Sequence, residues 1–215
     1  MERVLAGVLF LCIVSGMAFA EGFQYEEGTH YVALEVPVQT RDADVIEVTE
    51  YFSYGCPHCY RFEPMIQQWA ASLPADVEFD RTPAIWQQPG YELYARTYYT
   101  AKALGVLEQI HGPLFQAIHS ERRNLMDLRS MAAFMAEQGV DAETFVKTFS
   151  DSFGVKAMYQ QAIARQRIYR ARGVPCLIVN GKYRIETEMV GSTAELLQVA
   201  NFLISRERRR SEEHT

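Results

Sequence analysis

YGCPHCYRF, residues 54–62, contains two cysteines, Cys56 and Cys59, with only a proline and a histidine between them. Such a pair occurs in metal sites, in structural disulfides and in thiol–disulfide couples that carry out redox chemistry. A disulfide across so short a loop stabilises a fold little compared with one that closes a long loop. A zinc site needs four ligands, and the sequence has no second pair of matching spacing. The pattern therefore favours a redox couple over a metal module or a structural disulfide, and we expect no metal.

The residues around the pair predict a strand that leads into a helix. VIEVTEYF, residues 45–52, is rich in β-branched and aromatic residues, which favours a strand. Apolar residues then recur at helical spacing from Pro57 onward. Proline suits the first helical position, so Cys56 is predicted to be the N-cap. VEFDRTP, residues 77–83, predicts a second strand, and a helix between two such strands makes them parallel neighbours.

The two sulfurs are expected to differ. Free N–H groups and the dipole at a helix N-terminus stabilise a thiolate, so we expect Cys56 to be exposed and acidic. Cys59 lies three residues further along the helix and is expected to point into the core. His58 can supply a donor or a positive charge beside Cys56. A stabilised thiolate makes the disulfide oxidising, which predicts oxidation of substrates.

The rest of the chain predicts one mixed sheet interrupted by helices. HYVAL, residues 30–34, is a short strand candidate, and PCLIVNGKYRI, residues 175–185, contains an Asn-Gly hairpin signal. Ser192 begins a capping box that opens a final helix. The predicted division is a first part of the sheet domain, a helical insertion and a second part of the sheet domain, at residues 21–90, 91–172 and 173–215.

Residues 1–20 have the pattern of a cleaved secretory signal peptide. A positive residue precedes an apolar run that ends in Ala-Phe-Ala, although an uncleaved membrane anchor remains an alternative. The mature chain would begin at Glu21 with three cysteines, in a compartment where disulfides persist. The net charge of −6 gives no support for nucleic-acid binding. The basic C-terminal segment, residues 204–215, is expected to be a solvated helix end.

YGCPHCYRFEP and RGVPCLIVNGKYR, together with the signal peptide and the helical insertion, resemble the DsbA family of bacterial periplasmic thiol–disulfide oxidoreductases. The similarity covers nearly the whole mature chain. It implies an α/β, thioredoxin-like fold with an inserted all-helical domain, and an enzyme that introduces disulfide bonds into exported proteins. It also implies a periplasmic location, no cofactor, substrates that are unfolded or folding proteins with free thiols, and reoxidation by a membrane quinone-linked oxidase of the DsbB type.

The resemblance also implies roles for matching residues. Cys56 would form the mixed disulfide with the substrate, Cys59 would be its buried partner, and His58 would tune the thiolate. Pro175 matches a cis-proline that faces the cysteine pair, and the residue before it would offer backbone hydrogen bonds to a bound peptide. The implied catalytic and substrate-binding positions are Cys56, Cys59, His58, Pro175, Val174 and Pro57.

Two glutamates are further candidates. Alternation along residues 45–52 puts Glu50 on an apolar face, where a carboxylate is costly unless it is paired or neutralised. Glu50 matches a buried family acid that could shuttle a proton for Cys59; the alternative is a strand-end side chain that reaches water. Glu63 also matches a family acid, but it could equally be a helix-surface residue. His111 and His119, in the helical segment, are expected at the surface.

Cys176 departs from the family pattern, which usually has a small or polar residue other than cysteine after the proline. It is either a small apolar core residue or a third thiol near the redox pair. Two alternative functions also stay open: a disulfide isomerase or reductase of the same superfamily, and a non-catalytic CxxC module that holds peptides. Superfamily isomerases are commonly dimeric through an added N-terminal domain, for which the residues before Val45 leave no room, so we expect a monomeric oxidase.

Overall fold

The computed structural model describes residues 25–86 and 90–213, so the predicted signal peptide lies outside the described residues. Five strands form one sheet in the order β1-β5-β4-β2-β3. β2 and β3 are parallel, and the other neighbouring pairs are antiparallel. The strands are β1 (Val32–Ala33), β2 (Ile46–Phe52), β3 (Val77–Pro83), β4 (Cys176–Val179) and β5 (Tyr183–Glu186).

The helices fall into three groups along the chain. One helix connects β2 to β3, five lie between β3 and β4, and two follow β5. This is the element order expected from the sequence, except that the short helix after β5 was not predicted and the first strand is shorter than HYVAL. The helices are α1 (Pro57–Ala71), α2 (Tyr91–Ala103), α3 (Leu107–His119), α4 (Leu128–Glu137), α5 (Ala142–Asp151), α6 (Phe153–Tyr169), α7 (Thr187–Val190) and α8 (Thr193–Glu212). None of these helices combines the length and apolar character that a membrane span requires.

The interior strand β2, between β4 and β3, is buried along its whole length because the sheet is covered on both faces. On one face Val48 packs with α1 and α8 in an apolar cluster that includes Leu177. On the other face Tyr51 packs with Cys176 and with Tyr169 at the end of α6. Side chains alternate between the faces of a strand, so residues two apart on β2 share one environment and neighbours do not.

The helical insertion has a core of its own, which reaches the end of β2. Phe52 and Tyr54 pack with residues of α2 and α3 in a cluster that also contains Cys56 and Cys59. Phe115 of α3 contacts both aromatic rings, at centroid separations of 6.0 and 5.0 Å. The cysteine pair therefore lies between the sheet and the helices that follow β3.

The predicted hairpin between β4 and β5 is present. Asn180 and Gly181 both have positive φ, 51° and 61°, as a tight type I′ turn requires. A Cβ on Gly181 would lie 2.0 Å from the carbonyl oxygen of Val38, so only glycine fits this approach.

The prediction that residues 204–215 form a solvated helix end is confirmed for residues 209–213, which are exposed, but is wrong for residues 204–208, which are buried or partly buried. α8 continues to Glu212, and Glu207 within it is only 2% exposed. Its carboxylate accepts hydrogen bonds from Asn180 and Tyr183 of the hairpin and pairs with Lys182. The sequence of this charged segment did not predict the contact, because the partners of Glu207 lie on another element.

Candidate active site

The cysteine pair lies where β2 passes into α1. Cys56 is the N-cap of α1, with extended backbone angles of φ −94° and ψ 116°, and Pro57 is the first helical residue. The Cys59 N–H lies 3.5 Å from the Cys56 sulfur and donates to it. The local geometry predicted from the sequence is therefore present: a sulfur takes the place of the oxygen that usually caps a helix.

Cys59 is buried as predicted, whereas Cys56 is less accessible than expected. Cys59 is fully buried, and Cys56 is only 7% exposed, so the expectation of an exposed Cys56 is wrong in degree. The loop that precedes β4 covers Cys56: the carbonyl oxygen of Val174 lies 3.3 Å from the Cys56 sulfur. Pro57 and His58 are exposed beside it, and Arg61 donates to Nδ1 of His58 at 3.0 Å.

The surroundings lower the pKa of the Cys56 thiol and raise that of the Cys59 thiol. The pKa of Cys56 is lowered to about 6, chiefly because the Cys59 side chain donates a hydrogen bond to it; burial opposes this shift. Backbone N–H groups of Cys59 and His58 lower it further, and the charge of His58 contributes less. Burial raises the pKa of Cys59 well above its ordinary value, and the proximity of Cys56 and Glu50 adds to that rise. Cys56 is thus the thiolate and Cys59 the thiol at neutral pH.

The loop opposite the pair contains a cis peptide bond between Val174 and Pro175, as the resemblance implies. Thr187 of α7 donates its hydroxyl to the Pro175 carbonyl oxygen at 3.1 Å and so attaches this loop to the short helix. A cavity of about 230 Å³ lies between the loop, the exposed side of α1 and α7. Its lining residues are His58, Gly173, Val174, Pro175, Glu186, Thr187, Glu188 and Thr193.

A cluster of buried charged groups lies beneath the pair. Glu50 is completely buried and pairs with Arg81 of β3, whose Nε lies 2.8 Å from Glu50 Oε2. Arg81 Nη2 lies 2.9 Å from Oε1 of Glu63, so one guanidinium group bridges two carboxylates. Register explains the first contact, since Glu50 and Arg81 are direct partners in the parallel β2–β3 pair. The structure places both Glu50 and Glu63 in the interior, which excludes the alternatives of a strand-end side chain in water and a helix-surface residue.

The two carboxylates respond differently to this environment. Burial raises the pKa of Glu50 to about 7, against the opposing attraction of Arg81. Burial alone would also raise the pKa of Glu63, but the hydrogen bond from His111 and the charge of Arg81 bring it below its ordinary value. Around pH 7 the cluster therefore holds an ionised Glu63, a cationic Arg81 and a Glu50 close to its midpoint.

His111 is 3% exposed, so the prediction of a surface position is wrong. Its Nδ1 lies 2.7 Å from the hydroxyl of Tyr54, and its Nε2 lies 3.3 Å from Glu63 Oε2. The His111 ring packs against Phe52. The polarity of histidine alone does not predict such a buried position. His119 is partly buried, with Nε2 2.7 Å from the carbonyl oxygen of Tyr54.

Comparison with known proteins gives a consistent result. The sequence profile of the DSBA-like thioredoxin domain matches residues 66–200. The thiol:disulfide interchange protein DsbA of Pseudomonas aeruginosa is 40% identical over 205 residues, which is 95% of this chain and 96% of the relative. The DsbA of Azotobacter vinelandii is 37% identical over 216 residues, 97% of this chain and 99% of the relative.

This chain belongs to the DsbA family. A crystal structure of Pseudomonas aeruginosa DsbA has a TM-score of 0.82 and covers 87% of this chain and 97% of that one, at 40% identity. A DsbA oxidoreductase from Xylella fastidiosa has a TM-score of 0.80 at 32% identity, with coverage of 86% and 98%. The expected thioredoxin-like fold with a helical insertion is confirmed, and the chain is a disulfide-introducing thiol–disulfide oxidoreductase. These relatives give no support to the isomerase, reductase or binding-module alternatives.

Cys176 lies apart from the redox pair in this DsbA-family structure. It is fully buried on the face of the sheet that carries Tyr51, against which Tyr169 of α6 packs. Glu50 and Leu177 occupy the opposite face. Burial raises its pKa far above that of an ordinary thiol. The structure therefore favours the interpretation of Cys176 as a small core residue. Within residues 25–86 and 90–213, no group of three or more histidine, cysteine or acidic side chains is placed to hold a metal ion.

Sequence reasoning missed Arg81, His111 and Tyr54 as parts of the DsbA-family site. Arg81 had one usable signal: alternation along Val77–Pro83 puts a cation on the same face of the strand as Val77 and Phe79. His111 carried no such signal, because its contacts depend on how α3 packs against α1.

Proposed function

We propose that Cys56 and Cys59 oxidise pairs of thiols in unfolded or folding exported proteins, in the periplasm, with Cys56 as the sulfur that bonds to the substrate. The difference in pKa between the two thiols carries this proposal. A low pKa makes Cys56 a good leaving group, and a high pKa makes Cys59 retain its proton once it has been released. The stabilised Cys56 thiolate favours the reduced pair and so makes its disulfide an oxidant.

The cycle starts from the Cys56–Cys59 disulfide. A substrate thiolate attacks the Cys56 sulfur, a substrate–Cys56 bond forms, and the bond to Cys59 breaks. Cys59 leaves with the electron pair and takes a proton from Glu50. A second substrate thiolate then attacks the substrate sulfur of the mixed disulfide and releases Cys56 as a thiolate. Two electrons pass from the substrate to the enzyme, and the substrate leaves with a disulfide.

The residues around the pair take supporting roles in this proposal. Glu50 exchanges the proton because it is buried, has a pKa of about 7 and influences the acidity of Cys59. Pro175 and Val174 present backbone to the substrate in the cavity beside Cys56, with Pro57 and His58 on its other side. His58 also lowers the pKa of Cys56. Glu63 acts through Arg81 as a modulator, and we assign Cys176 no catalytic part.

The reduced pair must be reoxidised before another turnover. We infer that a membrane quinone-linked oxidase of the DsbB type does this. The Cys56 thiolate would attack a disulfide of the oxidase, and Cys59 would then displace the oxidase's sulfur, which re-forms the Cys56–Cys59 disulfide and leaves the oxidase's pair reduced. No cofactor is needed, because the two sulfurs themselves carry both electrons. We propose that the mature protein works as a monomer.

Trapping the mixed disulfide tests the assignment of Cys56. In the Cys59→Ala protein, Cys56 is first converted to its mixed disulfide with glutathione. A thiolate of a reduced exported protein then displaces glutathione, and because Cys59 is absent to attack the new bond, the exported protein is expected to remain bound through Cys56. Mass spectrometry of the adducts locates the bond. The Cys56→Ala protein is the matched control and is expected to trap none, although it retains Cys59 and Cys176. Adducts on Cys59 or Cys176 instead would reverse the assignment.

The direction of electron flow is tested by the equilibrium of the Cys56–Cys59 pair with glutathione. We expect the reduced pair to predominate unless oxidised glutathione is in large excess. A pair that remains oxidised under reducing glutathione mixtures would overturn the oxidase function.

A further inference from the structure

Two buried carboxylates share a single cation beneath the redox pair, and this raises the question of which one holds a proton. Glu50 and Glu63 both contact Arg81, so ionising both would leave the interior with excess negative charge. Burial makes such a charge unfavourable. One proton is therefore retained near neutral pH, on whichever carboxylate has the weaker set of donors.

The donor sets of the two carboxylates are unequal because of His111. Glu50 receives one contact, from Arg81 Nε, and its Oε1 has no hydrogen-bond partner among the described residues. Glu63 receives Arg81 Nη2 on one oxygen and faces His111 Nε2 with the other, at 3.3 Å. Neither His111 Nε2 nor Glu63 Oε2 has a hydrogen bond of ordinary geometry in the described part of the chain, so these two unsatisfied atoms face each other at 3.3 Å. The Gln67 side chain also lowers the pKa of Glu63, by less than His111 does.

Tyr54 determines which ring nitrogen of His111 carries the hydrogen. Burial raises the pKa of Tyr54 well above its ordinary value, so its hydroxyl keeps its proton. That hydroxyl lies 2.7 Å from His111 Nδ1. Because the ionised Glu63 carboxylate on the other side of the ring can only accept, we assign the hydroxyl as the donor to Nδ1. Burial lowers the pKa of His111, so the ring is neutral at pH 7 and its single N–H is on Nε2. This N–H points to Glu63.

We propose that His111 is a positioning residue: it keeps Glu63 ionised and thereby leaves Glu50 as the carboxyl group that holds the exchangeable proton beneath Cys59. The proposal rests on the function assigned above to the cysteine pair and extends it to a residue of the helical insertion. Through α3, the insertion would thus influence the proton transfer as well as cover the site.

Other titratable groups around the cluster do not supply an alternative. The tyrosines are neutral, since burial raises the pKa of Tyr98 as well as that of Tyr54. Cys59 is a thiol, while the Cys56 thiolate and Glu108 add negative charge and so disfavour a second ionised carboxylate. The groups that face the cluster are Cys56 and Cys59 of α1, Tyr54 before α1, Tyr98 of α2, and Glu108 and His111 of α3.

Carboxyl titration by NMR tests the proposal directly. The full-length enzyme, with Cys56 and Cys59 reduced, is labelled with ¹³C at the glutamate carboxyl carbons, and the two signals are assigned with Glu50→Gln and Glu63→Gln. In the wild-type enzyme we expect Glu50 to titrate above the ordinary glutamate range and Glu63 below it. In His111→Phe the Glu63 midpoint should rise and the Glu50 midpoint fall, closing the gap by about one pH unit.

Two further variants separate positioning from packing. Phe keeps the aromatic contacts of residue 111 with Phe52 and Phe115 but has no donor, whereas His111→Gln has a donor amide and should restore the wild-type order of the midpoints. Tyr54→Phe removes the hydroxyl that sets the tautomer and should shift both midpoints in the His111→Phe direction by less. This variant provides the test if His111→Phe does not fold. Midpoints that stay in place, or that move in the same direction, would overturn the proposal.

A kinetic arm distinguishes failure of this inference from failure of the proposed role of Glu50. Single-turnover oxidation of a dithiol peptide should slow as pH rises through the Glu50 midpoint, and that inflection should move to lower pH in His111→Phe. If Glu50→Gln leaves the pH profile unchanged, the role of Glu50 in proton exchange is wrong. The opposed carboxyl titrations would still decide the role of His111.

Discussion

Two glutamates are buried, one on strand β2 and one on helix α8, and their surroundings differ in kind. Glu207 of α8 receives Asn180 Nδ2 at 2.7 Å and the Tyr183 hydroxyl at 3.0 Å, and it pairs with Lys182. Glu50 of β2 has one pairing group, Arg81, and an oxygen without a hydrogen-bond partner among the described residues. Burial acts to raise both pKa values, yet that of Glu207 ends below its ordinary value and that of Glu50 at about 7.

The completeness of pairing distinguishes a structural from a chemical role for a buried acid. Full pairing keeps Glu207 ionised, and its charge attaches α8 to the β4–β5 turn. Incomplete pairing leaves Glu50 able to gain or lose a proton near neutral pH, directly below a thiol that must do the same. Burial by itself is common to both residues and therefore does not indicate function.

The two residues should differ most in how much their replacement by glutamine lowers the free energy of unfolding. Glu207→Gln should lower the free energy of unfolding by about 2 kcal/mol, because donors converge on Glu207 and an amide offers one acceptor oxygen and a further donor. Glu50→Gln should change it by less than about 1 kcal/mol, because the amide resembles the protonated acid. Urea unfolding at pH 7 measures both. The comparison fails if Glu50→Gln is the more destabilising variant.

The next prediction concerns pH, where the two residues should act in opposite directions. The pKa of Glu50 rises on folding from 4.5 to about 7, so its contribution to stability is full below pH 4.5 and is lost as pH rises toward 7. The pKa of Glu207 falls below 4.5 on folding, so its contribution is present above pH 4.5 and is lost as pH falls.

Unfolding free energies of the wild type and both Gln variants, measured from pH 3.5 to 8, check this prediction. The difference between wild type and Glu50→Gln should change between about pH 4.5 and 7 and stay constant above that range. The difference between wild type and Glu207→Gln should change only at the acid end. Two parallel curves would show that the residues are not distinguished by pairing.

Cys176→Ala should have the least effect on function. Cys176 serves as a control for the two glutamates, because it is a buried group without a chemical role. Loss of one sulfur from the core should cost about 1 kcal/mol of stability, and the equilibrium of the Cys56–Cys59 pair with glutathione should stay the same. Cys176→Ser should cost more, because it buries a hydroxyl where the sulfur has only a 3.8 Å contact with its neighbour's carbonyl oxygen. Mass spectrometry of the oxidised wild-type protein should find Cys176 outside any disulfide.

Local interactions account for what could be predicted of the fold and the site. The N-cap position of Cys56, the start of α1 at Pro57 and the turn at Asn180–Gly181 all depend on residues a few positions apart. The same is true of the capping box at Ser192, which accepts from the Glu195 N–H. The position of Pro175 opposite the pair was expected only through resemblance to the DsbA family, because nothing local specifies it.

The sequence alone specifies the redox motif, the order of strands and helices and the asymmetry of the two thiols, since these depend on short-range backbone geometry. The pairing of the buried charges, by contrast, depends on how distant elements pack. Arg81 meets Glu50 across 31 residues of chain, and His111 meets Tyr54 across 57. Strand register and the packing of α3 set these contacts. The pKa of a buried group depends on such distant neighbours, so it was not predictable before the fold was known.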